Sequence, residues 1–192
     1  MAIRRAHVEE LAWPRSGSSL TLRSMEPEWI ESERIERSAT FTANASPGEI
    51  FPLMCPVLEY RWVPEWSCVM AYSDSGVAEK DAVFHTAMHR MPHLPTMVGS
   101  KVVWTTITYQ PDHLIEYLLV IGTDVVIRLS ILLKDTGGAT SGITWTMVIT
   151  ATSEPGRVFA RRQYSEEKFR DLIARREQEL NHYLRTGTMI EA

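Results

Sequence analysis

Tyr164 to Gly187 reads YSEEKFRDLIARREQELNHYLRTG, and this stretch decides the fold. Apolar residues recur at Phe169, Leu172, Ile173, Leu180, Tyr183 and Leu184. That i, i+3/i+4 spacing draws one apolar stripe along one face of a helix. Ser165 is placed as the N-cap, and Glu166 and Glu167 put negative charge at the positive end of the helix dipole. Arg185 sits in the last turn, and Gly187 can take the left-handed conformation that ends a helix. An isolated helix is marginal in water, so most of its stability must come from covering the stripe. The residues before it have to supply the apolar surface.

They read as a sheet. In Ser141 to Thr152, Ile143, Trp145, Met147, Ile149 and Ala151 alternate with Thr144, Thr146, Thr150 and Thr152, so the first set faces inward. In Asp124 to Lys134 the apolar phase is Val125, Ile127, Leu129 and Ile131, which turns Arg128 and Ser130 outward; Gly137-Gly138 close the run. In His113 to Ile121 the inner set is Ile115, Tyr117 and Leu119, with Glu116 on the wet face. Lys101 to Tyr109 has two equally suitable inner faces, Trp104-Thr106-Thr108 and Val103-Thr105-Ile107-Tyr109, and its phase stays open. Ala82 to Thr86 puts Phe84 and Thr86 inside and His85 outside. The turn Ser73-Asp74-Ser75-Gly76 joins it to Ser67–Tyr72. Strands joined by short turns are antiparallel neighbours, which makes a meander of about six strands.

Ahead of the meander, Ile35, Arg37, Ala39, Phe41 and Ala43 alternate with polar residues as one more half-buried strand. Ser46-Pro47-Gly48-Glu49 then carries a capping-box pattern with proline at the first helical position. Ile50, Phe51, Leu53 and Met54 make a short apolar helix that Pro56 stops, and Val57 to Trp66 form a second turn or helix broken by Pro64. Pro155-Gly156 reads as the link to the final helix. The class is α+β: a curved antiparallel sheet around a long C-terminal helix, with two short helices after the first strand.

The chain has 192 residues and a net charge of -4. This suits one domain, residues 33–187, preceded by an arm, 1–32, and followed by a short tail, 188–192. The arm has mixed charge and little periodicity, and is expected to pack on the domain or on a partner subunit, which keeps a homodimer open. The charge gives no support to nucleic-acid or anionic-membrane binding. No apolar run is long enough to span a bilayer, so no stable membrane insertion is expected. Cys55 and Cys68 form no CxxC pair, and the expectation is a cytoplasmic protein with reduced thiols.

In order and spacing this chain resembles the helix-grip fold of the START/Bet v1-like (SRPBCC) superfamily, in its polyketide-cyclase/dehydrase and lipid-transport branch. The resemblance rests on Ser46-Pro47-x-x-Ile50-Phe51, on Pro56-x-x-Glu59-x-x-Trp62-x-x-x-Trp66, and on Gly76 followed by Val83-Phe84-x-Thr86. Trp104 with Tyr109, Ile115-Glu116-Tyr117 and the closing helix complete it, over roughly Glu33 to Thr186. It implies an elongated apolar cavity between sheet and C-terminal helix that binds lipids, polyketides or aromatic metabolites. The scaffold hosts carriers, cyclases and chaperone partners alike, so fold does not choose among them.

The expected cavity wall comprises Trp62, Phe84, Ile115, Tyr117, Ile127, Leu129, Ile143, Trp145, Met147, Leu172 and Ile173, although plain core packing accounts for any one of them. Tyr117 carries a hydroxyl that needs a partner when buried. Glu59, three residues before Trp62, is a carboxylate whose pKa burial would raise, so Tyr117 and Glu59 are the candidates for acid–base work. His85, His89 and His93 recur every four residues, but Pro92 and Pro95 break the helix a metal stripe would need. No metal or cofactor is expected. The leading expectation is binding or carriage of a hydrophobic small molecule; a cyclase/dehydratase-type enzyme and a co-chaperone or protein-interaction module are the alternatives.

Overall fold

The computed structural model describes residues 30–64, 66–87 and 101–191. Most of the expected arm, together with His89, His93 and the stretch around them, lies outside the described residues. Strand β1 (Glu33–Ala43) is followed by a single helical turn α1 (Pro47–Ile50) and 3-10 turns at Phe51–Met54 and Glu59–Arg61. The Glu49 carboxylate accepts from the Ser46 N–H at 2.9 Å, which satisfies a backbone donor at the start of α1. The meander is β2 (Val69–Tyr72), β3 (Val83–Ala87), β4 (Lys101–Gln110), β5 (Leu114–Ile121), β6 (Val125–Gly137) and β7 (Thr140–Ala151). Helices α2 (Glu154–Gln163) and α3 (Glu166–Thr186) close the chain.

The seven strands form one sheet in the order β1-β7-β6-β5-β4-β3-β2, with antiparallel neighbours throughout. The sheet is curved and α3 lies in its grip, the helix-grip fold that the sequence pattern implied. Ile115, Tyr117, Leu119, Ile127, Leu129, Ile143, Trp145 and Met147 are all buried on its inner face. On the outer face, threonine and serine hydroxyls pair across β1 and β7: Ser38 with Thr146 at 2.8 Å, Thr40 with Thr144 at 2.9 Å.

The open phase of β4 has a structural cause. Thr106 pairs with Tyr117 and Thr108 with Glu116, so Ile107 is one residue too many for the ladder. Such a bulge shifts the alternation by one. Before it Val102, Trp104 and Thr106 face in; after it Tyr109 does, stacking edge-on against Phe51 at 5.2 Å. Each reading of the strand describes one half of it.

Helix α3 has the expected ends. Ser165 accepts from Lys168 N, and Gly187 has φ 71°. It seats on β1, an edge strand whose outward backbone groups would otherwise be unpaired. Asn181 bonds both sides of that edge, donating to Thr42 O at 2.8 Å and accepting from Asn44 N at 2.9 Å. Glu177 accepts from Thr42 N at 3.1 Å.

Helix α2 corrects the reading of Pro155-Gly156 as a link. Pro155 and Gly156 resemble turn chemistry, but a proline in a first helical turn lacks an N–H that has no intrahelical partner anyway. Ser153 caps the helix by accepting from Gly156 N at 3.1 Å, and its hydroxyl donates to Asp124 Oδ1. Phe159 and Ala160 are buried beneath it. Gly156 is there because the helix passes hard against the β5–β6 turn: an added Cβ would lie 2.3 Å from Asp124 O. Gly156→Ala is therefore expected to lose roughly 2–4 kcal/mol, an overpacking cost against backbone that cannot swing aside. Urea denaturation checks it, and an unchanged midpoint would disprove the close approach. Among the described residues no helix is long and apolar enough to cross a membrane.

Candidate functional site

A curved sheet cannot touch a straight helix everywhere, and the gap is a cavity of about 220 Å³. The sheet contributes Phe84, Val102, Trp104, Tyr117, Leu119, Ile121, Leu129, Trp145 and Met147. Phe159, Tyr164, Leu172 and Arg176 close it from the helices, and Met54, Pro56, Glu59, Val63 and Trp66 from the short turns. For scale, a dry apolar cavity of about 150 Å³ admits benzene.

The aromatic wall is interlocked. Phe84 and Trp104 stack with centroids 5.2 Å apart and planes at 21°, and Tyr117 meets them edge-on at 5.8 and 5.9 Å. Trp66 meets Trp104 edge-on at 6.1 Å. Polar atoms of these rings are mostly tied off: Trp104 Nε1 donates to Thr86 Oγ1 at 3.0 Å, Trp66 Nε1 to Pro56 O at 2.7 Å, and Tyr117 Oη to Met54 O at 2.9 Å. Trp145 Nε1 is buried without a partner among the described residues. These bonds pin ring orientations, so the wall is preformed.

Glu59 and Arg176 are the only charged residues on the wall among those described. Glu59 sits in the 3-10 turn Glu59–Arg61. Its side chain has no hydrogen bond or ion pair among the described residues; Arg176 acts on it through space. Glu59 is half-buried as a residue and borders the cavity. Desolvation is the larger influence and Arg176 the opposing one, and the pKa is pushed up to about 8. Burial, with Glu59 adding to it, holds the Tyr117 hydroxyl well above its ordinary range, and burial alone pushes Tyr164 up to about 12. At neutral pH the wall thus carries a protonated carboxyl, neutral phenols and one guanidinium. Arg176 also donates to Glu179, a carboxylate only 2% exposed that Arg175 reaches at 2.7 Å from the other side.

Of the residues expected on the wall, Phe84, Tyr117, Leu129, Trp145, Met147 and Leu172 are on it, as is Glu59. Five lie elsewhere. Trp62 ends its 3-10 turn at φ -136°, and its indole, fully buried, donates to Leu53 O at 2.8 Å. Ile115 borders a second, smaller cavity with Phe51, Cys55 and Tyr109. Ile127 and Ile143 are fully covered by the core, and Ile173 packs α3 onto it. Sequence reading passed over Arg176, although it falls four residues after Leu172 on the same helical face. Nothing in the local pattern marks Trp66, Phe159 or Tyr164. Both cysteines are free thiols. Among the described residues no group of three His, Cys, Asp or Glu side chains could hold a metal.

No family model matches the chain. No curated protein matches it either. Solved structures do resemble it. Norcoclaurine synthase from Thalictrum flavum superposes with a TM-score of 0.57 at 12% identity, over 88% of this chain and 99% of that one. That enzyme has been solved in complex with dopamine and hydroxybenzaldehyde. An uncharacterized protein from Rhizobium leguminosarum gives 0.56 at 10% identity, over 81% and 99%. DynU16, a protein of the dynemicin biosynthetic locus, gives 0.51 at 14% identity, over 80% of this chain and 48% of that one. At these identities the likeness is one of fold.

Proposed function

We propose that this protein binds or carries a hydrophobic small molecule between the sheet and α3. The observation that supports this reading is the preformed cavity of about 220 Å³, whose wall is aromatic and aliphatic apart from Glu59 and Arg176. Burial of apolar surface would drive binding, and a few polar groups would orient the guest. Trp66, Trp104 and Trp145 all border the cavity, so a ligand there shifts tryptophan emission.

The test is titration with an environment-sensitive naphthalene dye, read on the dye, with native mass spectrometry for any co-purifying compound. Leu172→Trp crowds the cavity and is expected to weaken binding about tenfold, the equivalent of about 1.4 kcal/mol of overpacking. Arg128→Gln, on the exposed outer face, is expected to leave it unchanged. Equal losses would place the dye elsewhere, and no saturable binding to the folded protein would remove the reading.

Glu59 favours a second reading, an acid–base enzyme of the cyclase/dehydratase type. A carboxyl with a pKa near 8 that borders the cavity holds a proton at neutral pH and can give it to a bound carbonyl. Turnover of a poly-β-ketone substrate that Glu59→Gln abolishes while dye binding persists would establish it.

A further inference from the structure

We propose that the cavity selects an apolar molecule ending in a carboxylate, received between Glu59 and Arg176. This deepens the binding function proposed above and rests on it. Glu59 and Arg176 border the same void but form no ion pair, so the space between them is open to a third polar group. One nitrogen of Arg176, Nη1, is committed to Glu179, and the guanidinium makes no other hydrogen bond among the described residues.

The uncommitted donors set the class of head group. Glu179 is the buried anion that holds Arg176, while Arg175, its other partner, is 58% exposed and carries its charge into water. Glu59 finds no donor in an apolar wall, and a carboxyl so placed keeps its proton. This end of the cavity therefore offers the uncommitted N–H groups of a guanidinium and one O–H donor. A ligand carboxylate accepts charge-assisted hydrogen bonds from both. An alcohol gains a hydrogen bond without the charge, and an ammonium meets Arg176 as a like charge.

The other ionisable groups around Glu59 are Tyr117 on β5, Cys55 and Cys68 beside the short turns, and Arg176 on α3. Burial keeps Cys68 and Tyr117 in their neutral forms at neutral pH. Glu59 is then the group whose loss of a proton puts a negative charge against the ligand, and carboxylate binding must weaken as pH rises through its pKa.

Decanoate, decan-1-ol and decylamine provide the test, measured by displacement of the naphthalene dye from the full chain between pH 6.5 and 9.5. Over that range the acid is ionised and the amine charged, so the protein alone titrates. At pH 6.5 decanoate is expected to bind at least about tenfold tighter than the alcohol, and the amine weakest. Above pH 8 decanoate affinity should fall about tenfold per pH unit while that of the alcohol stays level. Glu59→Gln keeps a neutral donor and should flatten the profile. Arg176→Lys keeps a partner for Glu179 but removes the second guanidinium branch; it should bring decanoate towards the alcohol. Equal binding of all three probes, tightest binding of the amine, or an unchanged pH profile in Glu59→Gln would overturn the head-group assignment while the cavity reading stands. No binding of any probe would remove both.

Discussion

Leu180→Asp is expected to abolish cooperative unfolding or to lower the melting temperature by tens of degrees. Leu180 is fully buried on α3, one residue before the Asn181 amide that bonds the β1 edge. Truncating a buried leucine costs about 2–5 kcal/mol. The carboxylate adds a charge to an apolar site, worth several kcal/mol more. Together these approach the whole stability of an ordinary domain, about 5–15 kcal/mol. The loss is not confined to the helix, because α3 also closes the cavity and covers an edge strand. Gln178→Asp, exposed on the same helix, is the control and should behave as wild type. A folded Leu180→Asp protein with an unchanged melting temperature would refute the grip of sheet on helix. Leu172, on the same apolar stripe, is a weaker test of the fold, since it is half-buried at the cavity wall.

Glu59→Gln is expected to stabilise the protein increasingly as pH rises. The carboxyl titrates at about 8 in the folded chain against an ordinary value of 4.5. Between those values the folded state holds a proton that the unfolded state has released. Protons bound in the unfolded state are then fewer than in the folded one, so stability falls with rising pH, by about 1.4 kcal/mol per unit at most. The contribution is fully present below pH 4.5 and gone above pH 8. Glutamine mimics the neutral acid and has nothing to release. The variant should match wild type near pH 4.5 and exceed it by roughly 5 kcal/mol at pH 9. Chemical denaturation of both proteins across that range checks this; a difference independent of pH would show that Glu59 is ionised in the fold. The effect is the energetic cost of keeping a carboxyl in an apolar wall. That a fold carries such a cost agrees with a role for Glu59 in the cavity.

Local patterns determined a good deal. The 3.6-residue recurrence, Ser165 and Gly187 specify α3 to within a residue of its ends, because caps and periodicity act over a single turn. Strict alternation assigns the inner faces of β5, β6 and β7, because a one-residue slip would put every apolar side chain in water. Short turns between those strands make neighbours antiparallel. From these alone a curved sheet closed by one helix follows.

Tertiary structure decided the rest, for reasons of distance along the chain. The phase of β4 depends on the bulge at Ile107, which is defined only against β5. Helix α2 begins at Glu154, across Pro155 and Gly156, where Ser153 caps it and Asp124, a turn residue distant in sequence, bonds that cap. Inward-facing residues divide into cavity wall and solid core, and the alternation is the same for both. Leu129 borders the void and Ile127 does not, since the division is set by where the sheet curves away from α3. Glu59 and Arg176 border one cavity although they lie far apart in sequence. Neither residue's neighbours in sequence carry the information that the other will share its cavity.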